Sequence, residues 1–391
     1  MNVRYIFSLF LFVLLSCGSE KEETYSSRSP PSQQGAAPVT AEQKDSVQET
    51  SVESPPAPPV VSSENQVPEK VEEKKPEEKP ENKPEPVIKF PVRGMVVFGD
   101  SVSRGILADT QAGVEISDGL KKELYKDLVD AAAGKKISQA EADEKYGRPA
   151  LTAFTGDQSW SHYVMFSKSN PKFFRKVYAK SGAKGSTQRD IDFSTQIDEA
   201  FKDYVELSLE ERPDYVVLEF GGNDFCSKTD PQSFIDGYRE EILRLLPLFP
   251  DAVFLVTGIF NVPEIAEAMP ASSLVLTVEL LGQKRNFTCG EIRTSMCSRL
   301  KDPTDADRED LERMNSLLEA AVLEIKGKLN GNQSLIFASS TYKPLSITRD
   351  ILAADCFHPN QNGHKAIAEN TWKDLMTGLK EQSQTILNAM N

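Results

Sequence analysis

A hydroxyl, an imidazole and a carboxylate stand in two short motifs at opposite ends of one region of this chain. Met95-Val96-Val97-Phe98 runs straight into Gly99-Asp100-Ser101, with Gly105 shortly after. The apolar run reads as a buried strand, and the glycine permits a sharp turn at its end. His358 lies 257 residues beyond Ser101, inside Asp355-Cys356-Phe357-His358-Pro359. Pro359 disfavours helical backbone at His358. With Asp355 three residues back, one ring nitrogen can donate to the carboxylate while the other faces Ser101. A nucleophile, a base and an orienting acid are the parts of serine-type acyl transfer. The chain has three histidines, His162, His358 and His364, so candidate bases are few.

Two further motifs lie between these ends. Gly221-Gly222-Asn223-Asp224 directly follows the apolar run Tyr215–Phe220, and the Asn223 amide is expected to point into the pocket of Ser101. Ala179-Lys180-Ser181-Gly182-Ala183 follows another short run. There a glycine can turn a backbone N–H toward an oxyanion, with Gly182 preferred and Gly185 as the fallback. His364 is expected to pack or hydrogen-bond at a helix start, and His162 to be structural.

The elements that must position these residues alternate. Strands are expected at Gly94–Phe98, Lys176–Ala179, Tyr215–Phe220, Val253–Ile259 and Ser334–Ala338, and helices at Asp230–Leu246, Asp305–Leu329 and Asn362–Leu379. Such alternation argues for a three-layer α/β/α domain with a mostly parallel five-stranded sheet. Ligands bind such sheets beyond the carboxyl ends of the strands, and each motif follows an apolar run. Residues 106–155 and 261–302 are long for single connections and read as insertions that shape the substrate site.

Composition bounds the rest. Residues 18–88 hold 12 of the 24 prolines, one aromatic residue, Tyr25, and no core-forming pattern. Between Glu20 and Ile88 there are 15 acidic and 8 basic side chains, a balance of −7 and half of the formal −14. This reads as a disordered Pro/Glu/Lys-rich linker. It leaves 89–391 as one large domain. Mild acidity without a basic-aromatic patch argues against nucleic acid as a partner. Besides Cys17 there are Cys226, Cys289, Cys297 and Cys356. Four cysteines in an exported chain suggest disulfides, with three possible pairings. The expected pairs are Cys289–Cys297, close in sequence, and Cys226–Cys356, each beside a site motif. Zinc is the weaker alternative, since no Cys-x-x-Cys clip occurs. No metal or organic cofactor is expected, and the oligomeric state is open.

In their order of Ser, Gly, Asn and Asp-x-x-His, the four motifs resemble the SGNH (GDSL-type) hydrolase family. Gly221-Gly222-Asn223-Asp224-Phe225-Cys226, the Cys289/Cys297 region and Asp355-Cys356-Phe357-His358-Pro359 further resemble its phospholipase B-like branch. The resemblance implies a serine ester hydrolase. Ser101 would be its nucleophile, His358 its base and Asp355 the acid behind the base. Ser101, Gly182 and Asn223 would form the oxyanion hole. Acyl-ester lipids are the expected substrate, with O-acetyl groups of a cell-envelope polysaccharide and a catalytically silent binding module as alternatives. Residues 1–17, an apolar run ending Leu14-Leu15-Ser16-Cys17, resemble a bacterial lipoprotein signal peptide. That pattern implies export and a lipid anchor on Cys17. Gly18, rather than Asp, favours the outer membrane by analogy.

Overall fold

The computed structural model describes residues 93–390 apart from 133–134, 136–137, 188–190, 281–282, 330–332 and 344. The signal peptide expected over 1–17, Cys17 itself and the linker expected over 18–88 lie outside the described residues.

In chain order the strands are β1 (Gly94–Gly99), β2 (Phe174–Val177), β3 (Tyr215–Glu219), β4 (Val253–Thr257), β5 (Leu274–Leu280), β6 (Gln283–Thr288) and β7 (Ser334–Ala338). Five of them form one sheet in the order β2-β1-β3-β4-β7, with every neighbouring pair parallel. β5 and β6 pair as a separate antiparallel hairpin. The helices are α1 (Ser101–Arg104), α2 (Asp118–Ala132), α3 (Gln139–Tyr146), α4 (His162–Ser167), α5 (Phe193–Tyr204) and α6 (Gly222–Cys226). They continue with α7 (Pro231–Leu245), α8 (Val262–Ala268), α9 (Cys289–Met296), α10 (Asp305–Lys326) and α11 (Gln361–Met390).

Successive strand side chains point to opposite faces, and here both faces are covered. Val96, Phe98, Val216 and Leu218 pack with Phe193 and Ile197 of α5, Phe234 of α7 and Leu318 of α10. Met95, Val97, Tyr215 and Val217 face Phe166 of α4 and Ile367 and Leu375 of α11. The result is the expected three-layer α/β/α arrangement. Asp230 caps α7 by accepting from the Ser233 N–H at 2.9 Å, and Pro231 sits where a helix needs no donor. Thr304 and Asp307 form a capping box on α10, whose first turn is acidic and last turn basic. His162 joins layers, with Nδ1 2.6 Å from the Tyr215 hydroxyl and Nε2 3.0 Å from the Ala368 carbonyl. Burial pushes its pKa down to about 4, so it stays neutral.

The expected disulfide pairing is corrected. Cys226 pairs with Cys297 and Cys289 with Cys356. Cys289 opens α9 and Cys297 caps its other end. A helix rises about 1.5 Å per residue, so these two cysteines stand roughly 12 Å apart along the axis. A disulfide closes Cα atoms no more than about 7 Å apart. Nearness in sequence therefore separates them. Each end of α9 is instead tied to a site turn, Cys297 to the end of α6 and Cys289 to the Asp355–His358 stretch.

The residue closing β3 braces the turn after β1. Glu219 is buried, and its Oε2 accepts from the Ser103 hydroxyl of α1 at 2.6 Å. Burial holds Glu219 well above the usual carboxylate range; the Asp100 charge adds to this, and the bonds from Ser103 offset it in part. A raised native pKa means that the folded protein holds this proton more tightly than the unfolded chain. The stabilisation is full below the unfolded value and is lost as pH rises through the folded one. Glu219→Gln keeps a neutral group of the same shape. As pH increases above the ordinary carboxylate range, its unfolding free energy should rise relative to the parent's. Chemical denaturation at each pH checks this, and a pH-independent difference would contradict a buried acid.

Candidate active site

Strand β1 ends at Gly99, and its place is fixed by space rather than by an unusual φ. A Cβ there would lie 2.5 Å from Ser103 Oγ and 2.9 Å from the Glu219 carbonyl oxygen. The Gln196 side chain clamps both polar groups of Gly99, its Oε1 accepting from the N–H at 3.0 Å and its Nε2 donating to the carbonyl at 2.8 Å. Asp100 then caps α1 through the Val102 N–H at 2.9 Å. Ser101 occupies the first position of that helix, where a backbone N–H has no partner within the helix. Gly105 closes α1 in the left-handed region, φ 67°.

The second half comes from the connection before α11. Asp355 Oδ1 accepts from the N–H groups of Phe357 and His358, both at 3.0 Å. Its Oδ2 lies 2.6 Å from His358 Nδ1, and His358 Nε2 lies 2.8 Å from Ser101 Oγ. All three residues are 7–8 % exposed. Burial works to raise the Asp355 pKa, but the charge of His358 and these three hydrogen bonds outweigh it and leave the carboxyl below its ordinary value. An ionised Oδ2 fixes the proton on Nδ1, which leaves Nε2 to accept from the Ser101 hydroxyl.

Between Asp355 and His358 the backbone is strained. Cys356 has φ 58°, which costs a non-glycine residue about 1–3 kcal/mol. The disulfide to Cys289 pins this residue. The His358 carbonyl accepts from the Ala353 N–H at 2.8 Å. Asn360 holds the far side, its Nδ2 donating to the carbonyls of Asp350 and Leu352 and its Oδ1 capping α11 through Asn362 and Gly363.

Gly182 and Asn223 line one cleft together with Ser101 and His358. Gly221, at φ 112°, turns the chain so that Asn223 sits in the first turn of α6. Asn223 Nδ2 donates to Asp100 Oδ2 at 3.2 Å and to the Ala183 carbonyl at 3.1 Å. Gly182 has φ 77°, the conformation that favours glycine. The fallback, Gly185, is used otherwise, donating to Asp224 Oδ2 at 2.9 Å. His364 is buried with a pKa pushed down to about 3 by desolvation and by the nearby His358 charge, so its ring is uncharged at neutral pH.

Gln196, Asp224 and Asp143 escaped the sequence reading as site residues. Gln196 carried the one available signal, a polar residue three positions after Phe193 on the buried stripe of α5. Asp143 of the first insertion accepts from the Ser181 N–H at 3.3 Å, beside Gly182, and its Oδ2 lies 3.7 Å from Arg104 Nε of α1. Among the described residues, no group of three or more His, Cys, Asp or Glu side chains could hold a metal ion.

No curated protein sequence matches the chain. Solved structures with a similar fold include TesA, at 15% identity over 72% of this chain and 97% of that one, TM-score 0.35. A family 3 carbohydrate esterase of Clostridium thermocellum matches at 16% identity over 74% and 98%, TM-score 0.35. The psychrotrophic esterase EstA of Pseudoalteromonas sp. matches at 10% over 73% and 97%, TM-score 0.35. The family model described as GDSL-like lipase/acylhydrolase matches residues 95–371, which span the whole sheet and both halves of the site. The chain therefore belongs to the GDSL-like lipase/acylhydrolase family and is a carboxylic ester hydrolase.

Proposed function

We propose that the protein hydrolyses acyl-ester lipids through an acyl-enzyme on Ser101, with His358 as base and Asp355 as its orienting acid. The observation that carries this is the unbroken series of contacts from Asp355 Oδ2 to His358 Nδ1, 2.6 Å, and from His358 Nε2 to Ser101 Oγ, 2.8 Å. Ser101 Oγ bonds to the acyl carbon while its proton passes to Nε2. The ester C–O bond then breaks, and the departing alcohol takes that proton. Water attacks the acyl-enzyme, giving a proton to Nε2; the Ser101–acyl bond breaks, the carboxylic acid leaves and Ser101 regains its hydrogen.

In each half the negative oxygen is met by the N–H groups of Ser101 and Gly182 and by the Asn223 amide. Both Asn223 contacts are long for N–H···O bonds, and an oxyanion is a stronger acceptor than the Ala183 carbonyl. The cavity beside Ser101 supports an apolar acyl chain, since Val102, Phe220, Ile259, Leu345 and Ile367 line it. The Leu14-Leu15-Ser16-Cys17 motif supports a lipid anchor on Cys17, which would hold the domain at a membrane that supplies such esters.

Ser101→Ala should abolish covalent labelling by a fluorophosphonate and cut turnover by about a million-fold. Persistent labelling would move the nucleophile elsewhere. Asn223→Ala should fold and lose about 100- to 1000-fold in kcat, whereas parental kcat would remove its amide from the oxyanion site. A chain-length series of p-nitrophenyl esters tests the substrate class. Activity should rise from acetate toward medium and long chains, and activity confined to acetate would defeat the lipid reading. Radiolabelled palmitate should enter the full chain in a bacterial host and be lost in Cys17→Ala; survival of the label in that variant would contradict the anchor.

A further inference from the structure

Two apolar chambers meet at one histidine. The first flanks Ser101, with about 690 Å³ of empty space that includes its opening to solvent. The second lies beneath the two insertions, with about 780 Å³ of empty space that likewise includes its opening to solvent. Leu120 and Leu124 of α2, Leu276 and Phe287 of the β5–β6 hairpin and Ile292 of α9 form much of its wall. Asp355 and His358 also line it, but Ser101 does not. The cleft that holds Ser101, Gly182, Asn223 and His358 is bounded by Ile106, Tyr146 and Met296, and the same three side chains line the insertion chamber. Cleft and chamber therefore share a wall.

We infer that the insertion chamber binds a second apolar chain, carried on the alcohol side of the scissile ester, so that the substrate class is a diacyl lipid. This rests on the reading of Ser101 as nucleophile and His358 as base. The acyl carbon bonds to Ser101, so its chain extends into the chamber that Ser101 and Val102 line. The departing oxygen must take its proton from His358 Nε2, so the alcohol portion lies on the histidine side of the cleft. Past His358 on that side stand Ile106, Tyr146 and Met296, and beyond them the leucine-lined chamber. A single-chain ester of a small polar alcohol fills one chamber and leaves the other unused. Two chains on one backbone fill both. Apolar surface buried in the second chamber near the reacting bond strengthens binding in the transition state as well as in the ground state.

The test compares soluble dihexanoyl-glycerophosphocholine with its monohexanoyl lyso form, using the full chain. The parent should show kcat/KM at least about 10-fold higher for the diester. Ile292→Trp and Leu124→Trp each fill the chamber from a different insertion, at a half-buried position. Each should bring the diester-to-monoester ratio down to about one. A ratio measured within one preparation is not mimicked by partial misfolding. A parent that prefers the monoester or treats both alike overturns the inference, as does a parental ratio in both variants. A parent that cleaves p-nitrophenyl esters but neither lipid also overturns it, while leaving the esterase reading intact. Fluorophosphonate labelling absent from Ser101 would instead overturn the underlying reading.

Discussion

Parallel strands send all their carboxyl ends to one edge, and the order β2-β1-β3 makes three turns neighbours there. The turn after β1 carries Ser101, that after β2 carries Gly182, and that after β3 carries Asn223. The turns then lock to one another. The Lys180 N–H donates to the Gly99 carbonyl at 3.1 Å, extending the β1–β2 pairing past the strand. Asn223 reaches both other turns at once through Asp100 and Ala183. Asp224, fully buried, takes the Gly185 N–H and the Ser186 hydroxyl. The histidine and its aspartate come from elsewhere, on the connection into α11, which packs across the other face of the sheet.

Much of this was legible because buried parallel strands are continuous apolar runs. β1, β3 and β4 begin where the runs begin, and Ser334–Ala338 matches β7 at both ends. β2 was misplaced, at Phe174–Val177 rather than Lys176–Ala179. It is an edge strand with exposed Arg175 and Lys176, so the pairing follows backbone register, and the apolar Tyr178 and Ala179 lie just beyond it. Each motif alone also reads as a plain turn; the motif residues stood out because the four occur in one order, each after an apolar run. The disulfides were not, because pairing depends on where both ends of α9 dock, and that is set by packing among residues far apart in the chain. Gln196 illustrates the same limit, since its partner, the Gly99 peptide, lies 97 positions away.

The insertions do more than cover the site. Asp143 ties α3 to the Ser181 N–H, next to Gly182, while Cys289–Cys356 and Cys226–Cys297 tie α9 to the turns of His358 and Asn223. Leu107, Ile116, Leu120, Leu276 and Phe287 cluster between the two insertions, and the same side chains wall the second chamber. The segments that surround a substrate are thus held by covalent and hydrogen bonds to the turns that would act on it. Through Cys289, α9 is bonded covalently to Cys356, the strained residue between Asp355 and His358.

Asp100, Glu219, Asp224 and Asp355 are all buried at the turns, and their partners separate them. Desolvation penalises ionisation at every one, so the charge settles where donors are most numerous. Asp355 has two backbone N–H groups and an imidazole, and its pKa falls below the ordinary value. Asp100 has one backbone N–H and a long amide contact, and burial raises it to about 6. Glu219 has the Ser103 side against two unfavourable influences, burial and the Asp100 charge, and rises well above its ordinary value. Asp224, with one N–H and one hydroxyl, is raised as well. Of these four, the carboxyl whose charge the fold supports best is the one facing His358, and the other three brace turns. The same donors that orient Asp355 keep it ionised, so the geometry of the Asp355–His358 stretch and its electrostatics have a single cause.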